Sequence, residues 1–220
     1  PRATRHSRGA LAQRTQLMWA KWISGVFHPL VMPLATLVMV FALDPYLQAL
    51  PEVFMYMGVV VLVNTLAPAV SIWVLHRRGY LSDLDIRNRK ERALPFIIVL
   101  AYFIMTYALL VLSPALYIPL VYLDMWMGLM ASIGLALLIT RWFKISMHML
   151  AQGGVLGTVM AVQAMQLVPA WTLNGVLVFI AGWVGFARIH MGVHRHIEVY
   201  TGYLLGFAVC FCVVVLGLGG

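Results

Sequence analysis

Seven apolar runs, each near the length that an α-helix needs to cross a bilayer, follow one another along this sequence. A helix needs about 20 predominantly apolar residues for one crossing. The chain is 63% hydrophobic and 10% charged, whereas soluble domains are roughly 45–50% apolar and about 25% charged. The pattern therefore predicts an all-α, polytopic membrane helix bundle. The predicted spans are residues 22–43, 54–76, 95–113, 120–140, 146–167, 171–187 and 199–218.

The basic residues occupy alternate connections between these spans. The segments that hold all 15 Lys and Arg residues are 1–21, 77–92, 141–144 and 188–195. Seven spans place these segments on one side of the membrane, and the positive-inside rule makes that side cytoplasmic. We therefore expect a basic cytoplasmic tail, 1–21, and one membrane-embedded domain, 22–220, in a bacterial inner membrane. Because topology accounts for the net charge of +8, we expect no nucleic-acid partner.

Two local patterns concern a connection and the packing of helices. Residues 81–95 predict a short interfacial helix, with Ser82 as its N-cap, two acids in its first turn and Pro95 near its end. Glycines four residues apart let two membrane helices approach closely. Such pairs are Gly153-x3-Gly157 and Gly202-x3-Gly206.

A polar stretch, 188–206, lies between the last two apolar runs and begins with three His, two Arg and one Glu. Polar groups at such a place are costly to desolvate and usually serve a functional site. His194 and Glu198 are four residues apart, so on a helix they share one face. The carboxylate can accept a hydrogen bond from one ring nitrogen, which leaves the other free to act as a nucleophile or base.

A second polar cluster, Lys144-Ile-Ser-Met-His148, opens the fifth predicted span. A cation, a hydroxyl and an imidazole at a helix N-terminus suit an anion, because the unpaired N–H groups there favour phosphate. The span count places this cluster on the same side as the basic residues 87–92 and the stretch 188–198.

The last of these clusters resembles the third signature motif of the type 2 phosphatidic acid phosphatase superfamily, Ser-Arg-x5-His-x3-Asp. Arg188 and His194 stand at the Arg and the His of that motif. Ala187 replaces the Ser and Glu198 replaces the Asp, and two small residues, Gly202 and Gly206, follow as in the pattern.

The other two clusters resemble the first and second motifs of the superfamily. Ser146 and His148 match Pro-Ser-Gly-His, with Ile and Met in place of the Pro and the Gly. The first motif, Lys-x6-Arg-Pro, is matched in part, because Asp85 stands seven residues before Arg92 where the pattern has Lys. The basic candidates of this segment are Arg89, Lys90 and Arg92. The resemblance covers roughly residues 85–206.

The resemblance implies a membrane enzyme that hydrolyses a lipid phosphate monoester or pyrophosphate at the cytoplasmic face, without a metal or other cofactor. It implies that His194 forms a phosphohistidine, that Glu198 orients it, and that His148 is the general acid and base. The phosphate-binding residues it implies are Arg188, Arg92, Arg89, Lys90, Ser146 and Lys144. Its partners are then the lipid phosphate substrate and membrane lipids.

Two rival interpretations come from other classes of protein. A haem or metal protein would need His pairs facing each other inside the bilayer, whereas His148, His190 and His194 lie at span ends beside cations. A catalytically silent relative that binds or moves anionic lipids is the second rival. We expect His28 to satisfy a local backbone partner or an interface partner, and His190 to be a neighbour of the site. The choice of lipid phosphate and the oligomeric state stay open at this point.

Overall fold

The computed structural model describes residues 17–44, 53–112 and 119–219, and the regular structure in these ranges is helical. The predicted tail, 1–21, lies mostly outside the described residues. The helices are α1 (17–26), α2 (Met32–Leu43), α3 (Val53–Val59), a π-helical segment (Val60–Leu66), α4 (Ala67–Arg77), a 3₁₀ turn (Arg89–Glu91), α5 (Ala93–Leu112), α6 (Leu120–Ile139), α7 (Met147–Gln166), α8 (Trp171–His190) and α9 (His196–Leu216).

Five helical segments of the described chain are long and apolar enough to cross a membrane, which confirms a helical membrane bundle but not the predicted count of seven. They are Phe54–Arg77, Arg89–Leu112, Leu120–Ile139, Trp171–His190 and His196–Leu216. The predicted span 146–167 forms the full-length helix α7, but its imidazole and glutamine side chains lower its hydropathy. The predicted span 22–43 contains only the 12-residue helix α2 and part of α1.

The first predicted span is broken because of its prolines. Helix α1 ends at residue 26, and α2 begins at Met32 with Pro33 in its first turn. Pro29 has no N–H to donate and disfavours helical geometry at the residue before it. The predicted boundary between tail and span, at residues 21 and 22, falls inside α1.

Helix α7 is the central helix and packs most closely against α9. The four glycines of the two predicted pairs face each other at this contact. A Cβ atom at Gly202 would lie 2.6 Å from the Ser146 carbonyl oxygen, and one at Gly206 would meet the Leu150 carbonyl. Added Cβ atoms at Gly153 and Gly157 would likewise meet the α9 backbone. The predicted close approach is confirmed, and it brings the start of α7 against the start of α9.

The predicted interfacial helix in 81–95 is wrong, because polar side chains bind the backbone of this segment in turns. The Ser82 N–H and hydroxyl both donate to a carboxylate oxygen of Glu91, at 2.7 and 2.9 Å. The Asn88 side chain accepts from the Lys90 N–H at 3.1 Å. Such local bonds compete with helical hydrogen bonding. Helix α5 therefore begins only at Ala93.

Contacts at one end of the bundle show how the helices alternate in direction. The Gly219 N–H, after α9, donates to Asp124 near the start of α6, and Tyr107 near the end of α5 donates to the Gly219 carbonyl. Gln163 of α7 pairs there with Asn174 of α8. The Lys and Arg residues of the described chain lie at or near the opposite end. They are Lys21, Arg77, Arg78, Arg87, Arg89, Lys90, Arg92, Arg141, Lys144, Arg188 and Arg195.

Candidate active site

The short turn between α8 and α9 presents a histidine–carboxylate pair. The N–H groups of Val193 and His194 both donate to the Arg188 carbonyl in the last turn of α8. Gly192 has a φ of +65°, a conformation that glycine adopts without steric strain. His194 Nδ1 lies 2.8 Å from Glu198 Oε2. Because a carboxylate oxygen can only accept, Nδ1 carries the hydrogen and Nε2 keeps a lone pair. The side chain of His194 is only 1% exposed.

The charge state of His194 follows from its surroundings. Burial lowers the pKa of its imidazole, and the bond to Glu198 opposes that effect. Three nearby cations, Arg92, Arg188 and Lys144, lower the pKa further. The ring is therefore neutral near pH 7, as a nucleophilic nitrogen must be.

Glu198 is held by the start of its own helix as well as by His194. It lies in the first turn of α9, and the Arg195 N–H donates to its Oε2 at 3.3 Å. The exposed Arg195 side chain reaches its Oε1, also at 3.3 Å. A carboxylate at a helix N-terminus is favoured by the helix dipole. The carboxylate therefore orients the His194 ring from a fixed position.

Arg188 lies in the last turn of α8 and is 2% exposed. Its Nη1 donates to Asp85 Oδ1 at 3.0 Å. Its Nε is buried and has no hydrogen-bond partner among the described residues. A buried donor without a partner is costly, so this guanidinium has binding capacity left for an anion.

Arg92 brings a second buried guanidinium to the same end of the bundle. It is 3% exposed and precedes α5. Its Nε donates to the Ile86 carbonyl at 2.9 Å, and its Nη1 donates to the Ile145 carbonyl at 2.7 Å. The first bond lies within the loop before α5, and the second joins that loop to the segment that opens α7.

The start of α7 supplies the remaining polar groups. The Ser146 N–H donates to the Glu198 carbonyl at 3.1 Å, and its buried hydroxyl lacks a partner among the described residues. Lys144 Nζ donates to the Val193 carbonyl at 2.6 Å. Burial and then the charge of Arg92 lower the pKa of Lys144. The cluster that opens α7 therefore lies directly against the His194 turn.

His148, two residues after Ser146, contacts the N-terminal part of the chain. Its Nε2 lies 3.2 Å from the Ser24 carbonyl, and its ring meets the edge of His28 at a centroid distance of 5.4 Å. Since a carbonyl only accepts, Nε2 carries a hydrogen and Nδ1 is the nitrogen left to exchange a proton.

A cavity of about 310 Å³ connects part of this site with the interior of the bundle, and Lys144, Ser146 and Glu198 are not among its wall residues. Its charged and imidazole-bearing wall residues are His28, Asp85, Arg92, His148, Arg188 and His194. Most of the remaining wall is apolar and includes Phe96, Phe103, Leu129 and Ile133. From Arg92 to Phe103 the wall follows α5 for about 16 Å, at a rise of about 1.5 Å per residue. The cavity is therefore polar at one end and apolar along its length.

The structure separates the three basic candidates that precede α5. Arg92 is in the cavity wall, whereas Arg89 and Lys90 are exposed and are not part of that wall. Arg89 instead donates to the Trp142 carbonyl. The exposed ring of His190 stacks on Phe186 at 5.6 Å and also lies outside the wall.

Two residues of the site were not predicted from the sequence. His28 does accept the predicted local bond, from the Leu30 N–H at 3.3 Å, but it also lines the cavity. Asp85 lines it too and pairs with Arg188. The only indication in the sequence that Asp85 belongs to the site was its position seven residues before Arg92, where the first motif has Lys.

Comparisons with protein-family models, with curated proteins and with solved structures each found no match to this chain.

Proposed function

We propose that this protein is an integral-membrane lipid phosphatase that resembles the type 2 phosphatidic acid phosphatases. The observation that carries the proposal is a convergence. Arg92, His148, Arg188 and the His194–Glu198 pair come from three separate segments of the sequence, and they meet at the polar end of one apolar cavity. Cations suit a phosphoryl group and an apolar cavity suits a hydrocarbon chain, so a lipid phosphate monoester or pyrophosphate fits both.

In the first step, His194 Nε2 attacks phosphorus, and the bond from phosphorus to the leaving oxygen breaks. The phosphohistidine keeps its Nδ1–H on Glu198, which stabilises the positive charge that develops on the ring. Protonated His148 gives its Nδ1 proton to the leaving oxygen. Arg188 and Arg92 bind the nonbridging oxygens, for which guanidinium forks are suited.

In the second step, neutral His148 takes a proton from water as the water oxygen attacks phosphorus. The N–P bond breaks, inorganic phosphate leaves, and both histidines return to their starting states. The two cations neutralise the phosphoryl group. The Ser146 hydroxyl has no partner among the described residues, but it is fully buried and is not part of the cavity wall, so we give it no role in either step.

We also propose a seven-crossing topology with the site on the cytoplasmic face of a bacterial inner membrane. Helix α7 has 20 residues and runs from the basic end to the Gln163 end, so its length of about 30 Å matches a bilayer core. The chain segment containing α2 supplies the first crossing. The positive-inside rule then places the basic end in the cytoplasm.

Phosphate release from a panel of lipid phosphates, by purified protein in detergent and EDTA, tests the activity. We expect release by the wild type and a loss of about 10³-fold or more in His194→Ala. His190→Ala is the matched control, since this exposed histidine lies outside the cavity, and we expect wild-type rates. Acid-labile phosphate trapped on the wild type but not on His194→Ala would identify the nucleophile. Undiminished release by His194→Ala would refute the mechanism.

The sidedness has its own test, which uses Lys90→Cys in a Cys212→Ser background. Residue 90 is exposed at the basic end, and the remaining Cys210 is buried. We expect an impermeant maleimide to label residue 90 only after intact cells are permeabilised. Labelling before permeabilisation would place the site on the other face.

A silent lipid-binding relative is the second candidate function, and the substitutions in the third motif favour it. Ala187 is buried where the motif has a hydroxyl, and Glu198 is longer than the Asp. If anionic lipid binds but no member of the panel is hydrolysed, this second candidate replaces the first.

A further inference from the structure

Two consecutive residues, Asp85 and Ile86, occupy both arginines of the candidate phosphate site. The Asp85 carboxylate accepts from Arg188 Nη1 at 3.0 Å, and the Ile86 carbonyl accepts from Arg92 Nε at 2.9 Å. Both residues also line the cavity. One short segment of the loop before α5 thus spans the two guanidinium groups.

A phosphoryl group would require these same donors. Guanidinium groups bind phosphate most strongly through two parallel N–H bonds. Arg188 has an unpartnered buried Nε among the described residues, but its Nη1 already donates to Asp85. A carboxylate beside a phosphate also raises the energy of both anions. Asp85 therefore competes with phosphate for the same guanidinium donors, and its negative charge also repels phosphate.

The loop that holds Asp85 is weakly anchored at this point. The Asp85 side chain is 40% exposed. Ile86 has a φ of +48°, which is unfavourable for a β-branched residue. Next to Asp85 the backbone bonds are long, with the Ile86 N–H on the Asp83 carbonyl at 3.2 Å and the Arg87 N–H on the Asp83 carboxylate at 3.4 Å. The short bonds of the loop, from Ser82 and Asn88 to Glu91, lie on either side of this point. A segment held in this way is able to leave its position at low cost.

We propose that Asp85–Ile86 is an internal competitor of the phosphate group. The incoming phosphoryl oxygens replace the Asp85 carboxylate on Arg188 and the Ile86 carbonyl on Arg92, and the loop moves away from the cavity. Asp85 thereby sets the affinity of the site for phosphate. This inference rests on the phosphate site of the proposed function, but not on its catalytic steps.

The test is the affinity for inorganic phosphate, measured by calorimetry on purified protein in detergent at fixed pH and ionic strength. We expect Asp85→Asn and Asp85→Ala to bind phosphate about tenfold more tightly than the wild type, which corresponds to about 1.4 kcal/mol. Asp124→Asn is the control, because this carboxylate lies at the opposite end of the bundle and an amide oxygen there can still accept from the Gly219 N–H, and we expect its affinity to stay within about twofold of the wild-type value.

A second measurement uses the wild type alone, so it does not depend on how the variants fold. Hydrogen–deuterium exchange over residues 84–88 should increase when inorganic phosphate is added, because the N–H bonds of Ile86 and Arg87 to Asp83 open. Unchanged or slower exchange on phosphate binding would overturn the proposal.

The outcomes separate this inference from the proposed function. Phosphate binding by the wild type without tighter binding by either Asp85 variant would overturn the internal competitor alone. An absence of phosphate binding in all four proteins would contradict the phosphate site itself. Tighter binding without any turnover of lipid phosphates would support the competitor and favour the silent lipid-binding function.

Discussion

Replacing Gly202 with alanine should separate the two helices that hold the two halves of the site. The added Cβ would lie 2.6 Å from the Ser146 carbonyl oxygen and 3.3 Å from the Met149 Cβ. A carbon and a carbonyl oxygen normally approach no closer than about 3.3 Å, so α7 and α9 must move apart by roughly 0.7 Å. The Ser146 N–H bond to the Glu198 carbonyl crosses the same contact and would be lengthened.

The magnitude follows from two opposing effects. Overpacking at a close backbone contact costs about 1–3 kcal/mol, and the better helix propensity of alanine returns up to about 1 kcal/mol. We therefore expect a net loss of about 1–2 kcal/mol in the free energy of unfolding. The shift also moves His148 relative to His194. Because a misplacement of about 1 Å can cost about 100-fold in rate, we expect kcat/KM to fall about 10- to 100-fold.

Thermal unfolding in detergent and phosphate release measure the two effects. Gly182→Ala is the matched control, since Gly182 is also inside a helix but a Cβ there meets no atom within 4 Å. We expect this control to be at least as stable as the wild type and fully active. If Gly202→Ala matched the control in both assays, the close contact of α7 with α9 would not be what positions the site.

Four further predictions concern the titratable and charged groups of the site. Glu198→Gln keeps the shape of the side chain but loses the charge that stabilises the developing imidazolium. We therefore expect kcat to fall about 10²- to 10⁴-fold, with a smaller change in KM. An unchanged kcat would show that Glu198 has no part in the mechanism. Arg188→Lys should lower kcat/KM at least about tenfold, because lysine cannot form the two parallel hydrogen bonds of a guanidinium group. Arg141 is exposed, so Arg141→Lys should leave kcat/KM unchanged. Equal kcat/KM values for the two variants would show that charge alone matters. Burial lowers the pKa of His194 below 6.5. In a plot of kcat/KM against pH, the loss of activity that comes from protonation of His194 should therefore have its midpoint below pH 6.5. His194 binds a proton more readily in the unfolded chain than in the folded one. The stability contributed by neutral His194 is therefore complete above pH 6.5 and declines as the pH falls below it. A His194→Gln variant with the same pH dependence of unfolding as the wild type would contradict this assignment.

The partners that lie close in sequence were predictable from spacing. His194 and Glu198 are four residues apart, and helical geometry alone brings such side chains onto one face. The pairing was predicted, and the observed distance is 2.8 Å. His194, however, lies in the turn before α9 and only Glu198 is inside that helix, so the local turn and not a shared helical face brings the two side chains together. The glycine pairs of α7 and α9 were predictable for a similar reason, because small residues one turn apart leave a continuous gap in a helix surface.

The loop before α5 was not predictable in the same way. A helix with Ser82 as its N-cap was consistent with local preference, but the Glu91 carboxylate binds Ser82 across nine residues and holds the segment in turns. The position of Asp85 depends on Arg188, which lies 103 residues away in the sequence. No periodicity in one segment contains information about such a partner.

The sequence by itself determined that this chain is a helical membrane protein, because apolar runs of bilayer length have few other stable conformations in lipid. It also determined the end of the bundle to which the basic residues belong, since alternate helices return to the same face. Only the tertiary structure decided that Arg92, and neither Arg89 nor Lys90, enters the cavity wall, and that Asp85 occupies Arg188. These contacts depend on how far α7 and α9 approach and on the path of one irregular loop, and packing between distant segments sets both.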